Sequence, residues 1–520
     1  MRRRIYLFDN KIKPRIGNIL RGIVVALLVI IQFVFIVCVS LMLTRYTLLF
    51  YLFLEIISLI ILMALISRNQ CTSFKVAWIS IILLLPLTGQ IMYILWGTSS
   101  SHKKINKAVM DKINNGFKYN VDDTKTRELF YKLYPNQRRI SDFMTESEFP
   151  LYKNNDVTYF SMGEDLFESL LKDFEEAKKF IFLDFFIIAE GKLWTRIEKI
   201  LTSKIQEGVE VWFLYDDFGA MFRTKDSFRS DLEKKGYKIA VFNPITKYVD
   251  KLHFNYRSHQ KMVVIDGNIG YTGGINIADE YANIRQRFGT WKDTGIRIEG
   301  DAVWGITITF LQMWDISKED GKSINYNLYK PTKEFKKNNC FCHFLSDGPA
   351  NDPENPIVNV YQQMIAYAEH YLYITTPYLI IEEALQFELI RAAKSGIDVR
   401  IITPSIPDKK NVKLLTEYNY GVLLENGVKI YEYQPGFIHA KMIINEKSAV
   451  VGTVNMDYRS FYLHYECCAW LCDPNIVKEI KKDFLNTIKE SKEVTYDDWN
   501  NKPWYIRGYQ ALLNLIQTII

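Results

Sequence analysis

The stretch Ser258-His259-Gln260-Lys261-Met262-Val263-Val264-Ile265-Asp266 recurs 180 residues later as Ile438-His439-Ala440-Lys441-Met442-Ile443-Ile444-Asn445-Glu446. Each copy runs from His-x-Lys into an apolar, mostly β-branched run, through a turn, and into a second strand. That second strand closes on Thr272-Gly273-Gly274-Ile275-Asn276 in one copy and on Val451-Gly452-Thr453-Val454-Asn455 in the other. Residues two apart on a strand share a face, so each histidine and its lysine are expected to project together. A neutral imidazole is a workable nucleophile or base near neutral pH, and an ammonium beside it is a point charge suited to a phosphate oxygen. The glycines let backbone approach a ligand closely, and asparagine offers a donor. Two such units face to face would hold one phosphodiester between two histidines.

The surroundings of the two copies also match. Before the first, Glu164–Lys179 and Trp194–Gln206 carry helical periodicity, while Phe180–Ile188, Val209–Asp216 and Tyr237–Phe242 read as strands, and Asp293–Ile298 follows as another. Before the second, helices are expected over Ile357–Ala368, Glu382–Ser395 and Asn411–Asn426, with strands over Tyr371–Pro377, Asp398–Thr403 and Val428–Tyr433, and then His464–Leu471. Gly208 and Gly427 are placed as helix stops. An internal duplication of α/β units implies two similar sheets packed about a pseudo-two-fold.

Composition narrows the class. A hydrophobic content of 48% with 14% aromatics excludes a disordered chain. The net charge of +6 is carried by residues 1–21, where seven Lys/Arg face one Asp, so the rest of the chain balances. A nucleic-acid binder shows a clustered basic excess in its working domain, and this body has none. The seven cysteines form no C-x-x-C pair and read as free thiols of a reducing compartment.

Three apolar stretches open the chain: Gly22–Thr44, Tyr46–Ser67 and Val76–Trp96. Each is long enough to cross a bilayer as a helix. Three spans would put Lys103, Lys104, Lys107 and Lys112 outside, against the positive-inside rule. Two spans with a re-entrant third, broken at Pro86 and Gly89, keep them inside and give a cytoplasmic catalytic body. Residues 1–97 are thus expected as a membrane anchor, 98–150 as a juxtamembrane connector, and 151–330 and 331–520 as the two repeats. The apolar tail Pro503–Ile520 either docks on the membrane interface or caps the second half.

The double pattern H-x-K-x-x-x-x-D followed by G-G/T-x-N resembles the phospholipase D superfamily. The second copy, Gly452-Thr453-Val454-Asn455-Met456-Asp457-Tyr458-Arg459-Ser460-Phe461, resembles its bacterial cardiolipin synthase branch, and so does the run from Pro86 to Gly97. The resemblance implies an α/β fold of N-terminal transmembrane helices followed by two phospholipase D-like repeats with mixed sheets. It also implies a multi-pass cell-membrane enzyme that moves a phosphatidyl group from one phosphatidylglycerol to another, giving cardiolipin and glycerol. Two displacements conserve the phosphodiester, so neither cofactor nor metal is expected.

The site residues follow. Lys261 and Lys441 with Asn276 and Asn455 would neutralise the phosphate. One histidine would attack phosphorus while the other protonates the leaving oxygen. The resemblance makes His259 the nucleophile and His439 the acid and base; the residues themselves leave this open. Each imidazole needs an acceptor on its other nitrogen. Asp293 and Glu466, 34 and 27 residues after the histidines of their own copies, are the candidates. Asp266 and Glu446 close the motifs. Glu446 replaces the Asp of the pattern, and the second turn is one residue shorter, which puts the second half's geometry in question. The alternatives are a membrane phospholipase D hydrolase or other phosphatidyltransferase, a tethered nuclease, and a non-catalytic membrane scaffold with an impaired second motif.

Overall fold

The strand Phe180–Phe185 is buried along its whole length, and its side chains alternate between two cores. Phe180 and Phe182 enter one apolar cluster, and Ile181, Leu183 and Phe185 enter another, as the two-residue period of a strand requires. Only Asp184 interrupts the apolar run expected of a strand covered on both faces. The computed structural model describes residues 45–68, 72–97, 100–244, 256–318, 324–350 and 354–518, with scattered positions between 27 and 37.

The first sheet has seven strands in the spatial order Asp156–Phe160, Gly295–Glu299, Ile269–Gly273, Met262–Ile265, Phe180–Phe185, Glu210–Asp216 and Lys238–Phe242. The last three run parallel and the remaining pairings are antiparallel. The second sheet uses its strands in the same order: Phe341–Asp347, His464–Cys472, Ala449–Gly452, Met442–Ile444, Tyr371–Thr375, Asp398–Pro404, Lys429–Tyr433 and finally Ser491–Val494. Gly208 and Gly427 end their helices at φ of 92° and 90°, a left-handed geometry that costs glycine no Cβ clash.

Both sheets turn one face to a shared core. Helix Val303–Ser317 lays Phe310 on Phe182 with ring centroids 4.6 Å apart, and helix Pro474–Lys489 lays Phe484 on Tyr373 at 4.7 Å. Helices Gly163–Glu176 and Lys192–Gln206 cover the outer face of the first sheet. Pro356–Ala366 and Glu383–Lys394 cover that of the second. The stretch expected as a connector is largely helical, over Ser100–Phe117, Thr124–Leu133 and Arg138–Glu146. Its Phe130, Ile140 and Met144 are buried with the second sheet's outer core. The five described cysteines are buried free thiols.

Of the three apolar stretches, Gly22–Thr44 lies largely outside the described residues. The second forms helix Arg45–Ile66, in which Leu48–Ile66 is long and apolar enough to cross a membrane. The third breaks. Helix Thr72–Leu84 ends ahead of Pro86, and the chain resumes as Thr88–Met92 and a π-helical turn at Tyr93–Gly97. Gln90 ties the broken piece to the long helix, donating to the Leu54 carbonyl at 2.8 Å and the Ser58 hydroxyl at 2.7 Å.

Candidate active site

The motif strands begin at Met262 and Met442, one residue after each lysine. His259 and Lys261, and likewise His439 and Lys441, therefore precede the strand instead of sharing one of its faces, which corrects the expectation from spacing. They are held together directly. Lys261 Nζ donates to the His259 carbonyl at 2.5 Å, and Lys441 Nζ donates to that of His439.

Two short parallel pairings bring the halves into contact. Arg257–Ser258, leading to the first histidine, pairs with His464 and Tyr465 of the second half. Gly436–Ile438, leading to the second histidine, pairs with Thr290–Lys292 of the first. The His259 amide continues the first pairing to the Tyr465 carbonyl at 2.9 Å, and the His439 amide continues the second to the Lys292 carbonyl at 2.7 Å. Each histidine thus arrives beside the residue that precedes the other half's carboxylate.

The carboxylates are accordingly exchanged. His259 Nδ1 lies 2.9 and 3.0 Å from the two oxygens of Glu466, and His439 Nδ1 lies 2.6 Å from Asp293. The pairing by nearness in sequence, Asp293 with His259 and Glu466 with His439, is corrected, because the connecting strands cross between halves. A carboxylate on Nδ1 fixes the tautomer that leaves a lone pair on Nε2. Glu466 also accepts from the Thr453 hydroxyl, and Asp293 from the Thr294 amide at 2.9 Å. Gly274 stands where the other copy has Thr453, and a Cβ there would lie 2.1 Å from Asp293 Oδ1. One copy offers its carboxylate a hydroxyl at this position, and the other only room.

Each histidine is 6% exposed. Burial, with the charges of Lys261 and Lys441, holds both imidazoles well below their ordinary pKa and therefore neutral. Burial also lowers Lys261 to about 8, where Glu466 opposes the shift, and Lys441 to about 7, where Asp293 opposes it. Asp293 is pushed up to about 7 by burial, against the attraction of Lys441. An anion bound beside Lys261 and Lys441 would oppose the lysine shifts and favour an imidazolium, since opposite charge stabilises each cationic form.

The remaining motif residues divide by position. Asp266 sits past the far end of its strand, where its carboxylate accepts the amides of Lys178, Lys179 and Phe180 at 2.8, 2.7 and 2.9 Å. Glu446 does the same in the second half, accepting the amides of Glu369 at 2.9 Å and His370 at 3.4 Å. Its extra methylene suits the shorter turn, which is closed by Asn445 Oδ1 accepting from Lys447 and Ser448 at 3.0 and 2.9 Å. Asn276 has both ends of its amide engaged, by the Ile187 N–H at 2.9 Å and the Tyr281 hydroxyl at 2.8 Å. Asn455 Oδ1 is buried without a partner.

Three further features lie outside the motif pattern. His464 and Trp291 stand two residues before Glu466 and Asp293, with rings 5.4 Å from those of His259 and His439 respectively. Both His464 Nδ1 and Trp291 Nε1 are buried without hydrogen-bond partners, and burial pushes His464 down to about 3. Asp184 is also buried without a partner; burial drives its carboxyl well up while Lys261 opposes that shift. The sequence signal for each was faint: a polar residue inside an apolar strand, and a ring two positions ahead of an acid. His259, His464 and Glu466 form a cluster whose ligand atoms are close enough to share an ion. Within it His259 Nδ1 is already engaged by Glu466, and Lys261 and Lys441 add positive charge nearby.

Residues 361–488 match a family described as cardiolipin synthase, PLD-like domain. The chain is 32% identical over 481 residues to a cardiolipin synthase of Oceanobacillus iheyensis, covering 89% of this chain and 97% of that one. It is 34% identical over 475 residues to cardiolipin synthase 1 of Staphylococcus aureus, covering 88% and 93%. An uncharacterised protein of Streptococcus mutans is 40% identical over 440 residues, covering 83% and 93%. Among solved structures, phosphatidylserine synthase of Haemophilus influenzae superposes with a TM-score of 0.58 at 16% identity, over 74% of this chain and 99% of that one, a likeness of fold. With the relatives from Oceanobacillus and Staphylococcus aligned over most of both lengths, the chain belongs to the cardiolipin synthase family.

Proposed function

We propose that the two crossed histidine–carboxylate pairs transfer a phosphatidyl group from one phosphatidylglycerol to another. His259 Nε2 attacks phosphorus, and His439, protonated once the anion is bound, gives its proton to the departing glycerol oxygen. The phosphorus–oxygen bond breaks as a phosphorus–nitrogen bond forms. The primary hydroxyl of a second phosphatidylglycerol then gives its proton to His439 and attacks the phosphohistidine, releasing His259 and cardiolipin. Lys261 and Lys441 neutralise the phosphate oxygens, and Asn455 donates to one of them through its side-chain Nδ2. Asn276, Asp266 and Glu446 hold the backbone around the site. No step calls for a metal or a cofactor.

The reciprocal anchoring of the two histidines carries this reading. A double displacement needs a nucleophile and an acid of matched strength on opposite sides of one phosphorus, and the crossed pairs supply equivalent imidazoles. The reciprocal strand pairings and the repeated strand order favour a pseudo-two-fold between repeats at 151–330 and 331–520. The slight exposure of both histidines favours transfer over hydrolysis, because water is poorly admitted. We further place Leu48–Ile66 across the bilayer as part of a multi-pass anchor, with the catalytic body on the cytoplasmic side, which the basic N-terminus together with Lys103, Lys104, Lys107 and Lys112 favours.

The test is turnover of labelled phosphatidylglycerol by purified protein in detergent with chelator present, beside His439→Ala. A diphosphatidyl product with free glycerol, lost in the variant, is expected. Phosphatidic acid as the sole product would replace the transferase with a hydrolase, and absence of turnover would leave a lipid-binding scaffold.

A further inference from the structure

The C-terminal helix Trp504–Leu515 has two unlike faces. Leu513 packs with Ile380 and Leu415, and Gln510 is buried beside it. The approach to the helix is fastened to Glu417: the Trp499 indole donates to its carbonyl at 2.8 Å, and Lys502 pairs with its carboxylate. The opposite face is exposed, with the Tyr509 hydroxyl donating to Asn411 Oδ1 at 3.5 Å. Trp504, Tyr505, Tyr509 and Leu512 are 84%, 61%, 43% and 55% exposed. On a 3.6-residue period Tyr505, Tyr509 and Leu512 form one stripe, flanked by Trp504 and Gly508. The single charged side chain of the helix, Arg507, lies off this stripe with its guanidinium 5.1 Å from the Trp499 ring.

The helix has an apolar neighbour. The helix meets Thr72–Leu84, the apolar helix that packs against Arg45–Ile66. The long helix itself exposes Leu59, Ile60 and Met63. A helix with an exposed aromatic face thus adjoins the apolar helices. Tryptophan and tyrosine concentrate at the headgroup level of a bilayer, where the ring is apolar-solvated and the N–H or O–H finds water and phosphate. We infer that the outer face of Trp504–Leu515 lies in the headgroup boundary of the same phospholipid bilayer that Leu48–Ile66 crosses, an inference that rests on the bilayer reading of that helix.

The inner face of the helix rests on Lys410–Glu425. That supporting helix starts next to Lys409, whose charge acts on both catalytic histidines. A helix lying in the interface would therefore set the height of the cleft above the lipid headgroups, through one rigid element.

Nitroxide labels on the full chain, in nanodiscs of phosphatidylglycerol and phosphatidylcholine, test this. The background replaces Cys38 and Cys71 with serine, leaving the buried cysteines. Labels go at Tyr505→Cys and Leu512→Cys, with Leu59→Cys as the bilayer reference and Lys492→Cys as the aqueous one. Retained turnover of detergent-dispersed phosphatidylglycerol shows that each variant is folded. Collisions with oxygen exceeding those with a water-soluble nickel chelate at 505, 512 and 59, and the reverse at 492, are expected. Nickel-dominated collisions at 505 and 512 with lipid exposure at 59 overturn the inference and leave the bilayer reading intact. Nickel-dominated collisions at 59 as well overturn both. Dipolar broadening between labels at 505, without lipid exposure, assigns the face to a second copy of the chain and also overturns the inference.

Discussion

His259 and Glu466 stand 207 positions apart in the chain, yet Nδ1 of the one is hydrogen-bonded to the carboxylate of the other. Glu466→Gln should therefore disable the first histidine, although the acid lies in the second half. Removing an imidazole's acid partner with the geometry intact costs roughly a thousand- to ten-thousand-fold in rate. Within a double-mutant cycle, Glu466→Gln should add almost nothing to His259→Ala. It should remain costly beside a change at Asn276. Additive losses of Glu466→Gln and His259→Ala in kcat would show that the pair does not act as a unit.

Glu446 performs in the second half the task of Asp266 in the first, receiving backbone amides far from the histidines. Glu446→Asp should leave turnover within about twofold. Asp266→Ala and Glu446→Ala should each lower stability by about 1.5–3 kcal/mol, the net worth of hydrogen bonding to a charged group. Thermal unfolding in detergent, read beside kcat at a permissive temperature, separates the two effects. A large gain in turnover from Glu446→Asp would mean that the natural residue impairs the site.

Lysine charge in the free enzyme sets an alkaline limit. Lys441 loses its proton at about 7 and Lys261 at about 8, and only the charged forms attract phosphate. kcat/KM reports free-enzyme ionisations, so it should fall as pH rises through this range. In Lys441→Arg the maximal rate should drop, because a guanidinium has a different shape, while the alkaline limb moves up to the limit that Lys261 sets at about 8. An unmoved limb would assign it to another group.

His343 predicts acid sensitivity of the fold. Its ring is buried between the Ser141 hydroxyl and the Phe149 carbonyl, both at 2.8 Å, and burial lowers its pKa from 6.5 to about 4. Between these values the unfolded chain binds a proton that the folded chain does not. The stability is fully present above pH 6.5 and is lost as pH falls toward 4, a change of about 3 kcal/mol. His343→Gln should be less stable at neutral pH and should show a flatter decline of Tm over that interval.

The motif histidines, lysines and glycines were legible because they sit at fixed spacing within one copy, and the alternation of helix and strand patterns gave the α/β units. What spacing along the chain cannot express is pairing between copies. Asp293 and Glu466 were visible as acids, but their partners depend on Arg257–Ser258 and Gly436–Ile438 crossing to the opposite half. Nor did the sequence reveal that Asn276 spends both ends of its amide on Ile187 and Tyr281, since both contacts arise from tertiary packing. His464 carries only a faint sequence signal for a related reason: it stands against the ring of His259, a residue of the other half.

The exchange of carboxylates also bears on how the enzyme is made. During synthesis the first half emerges with His259 and Asp293 present but neither complete, because one lacks its acid and the other lacks its base. Glu466 follows His259 by 207 residues. A nascent or truncated polypeptide inserted among its own lipid substrates therefore carries no finished dyad, and the activity switches on only when the two halves have docked.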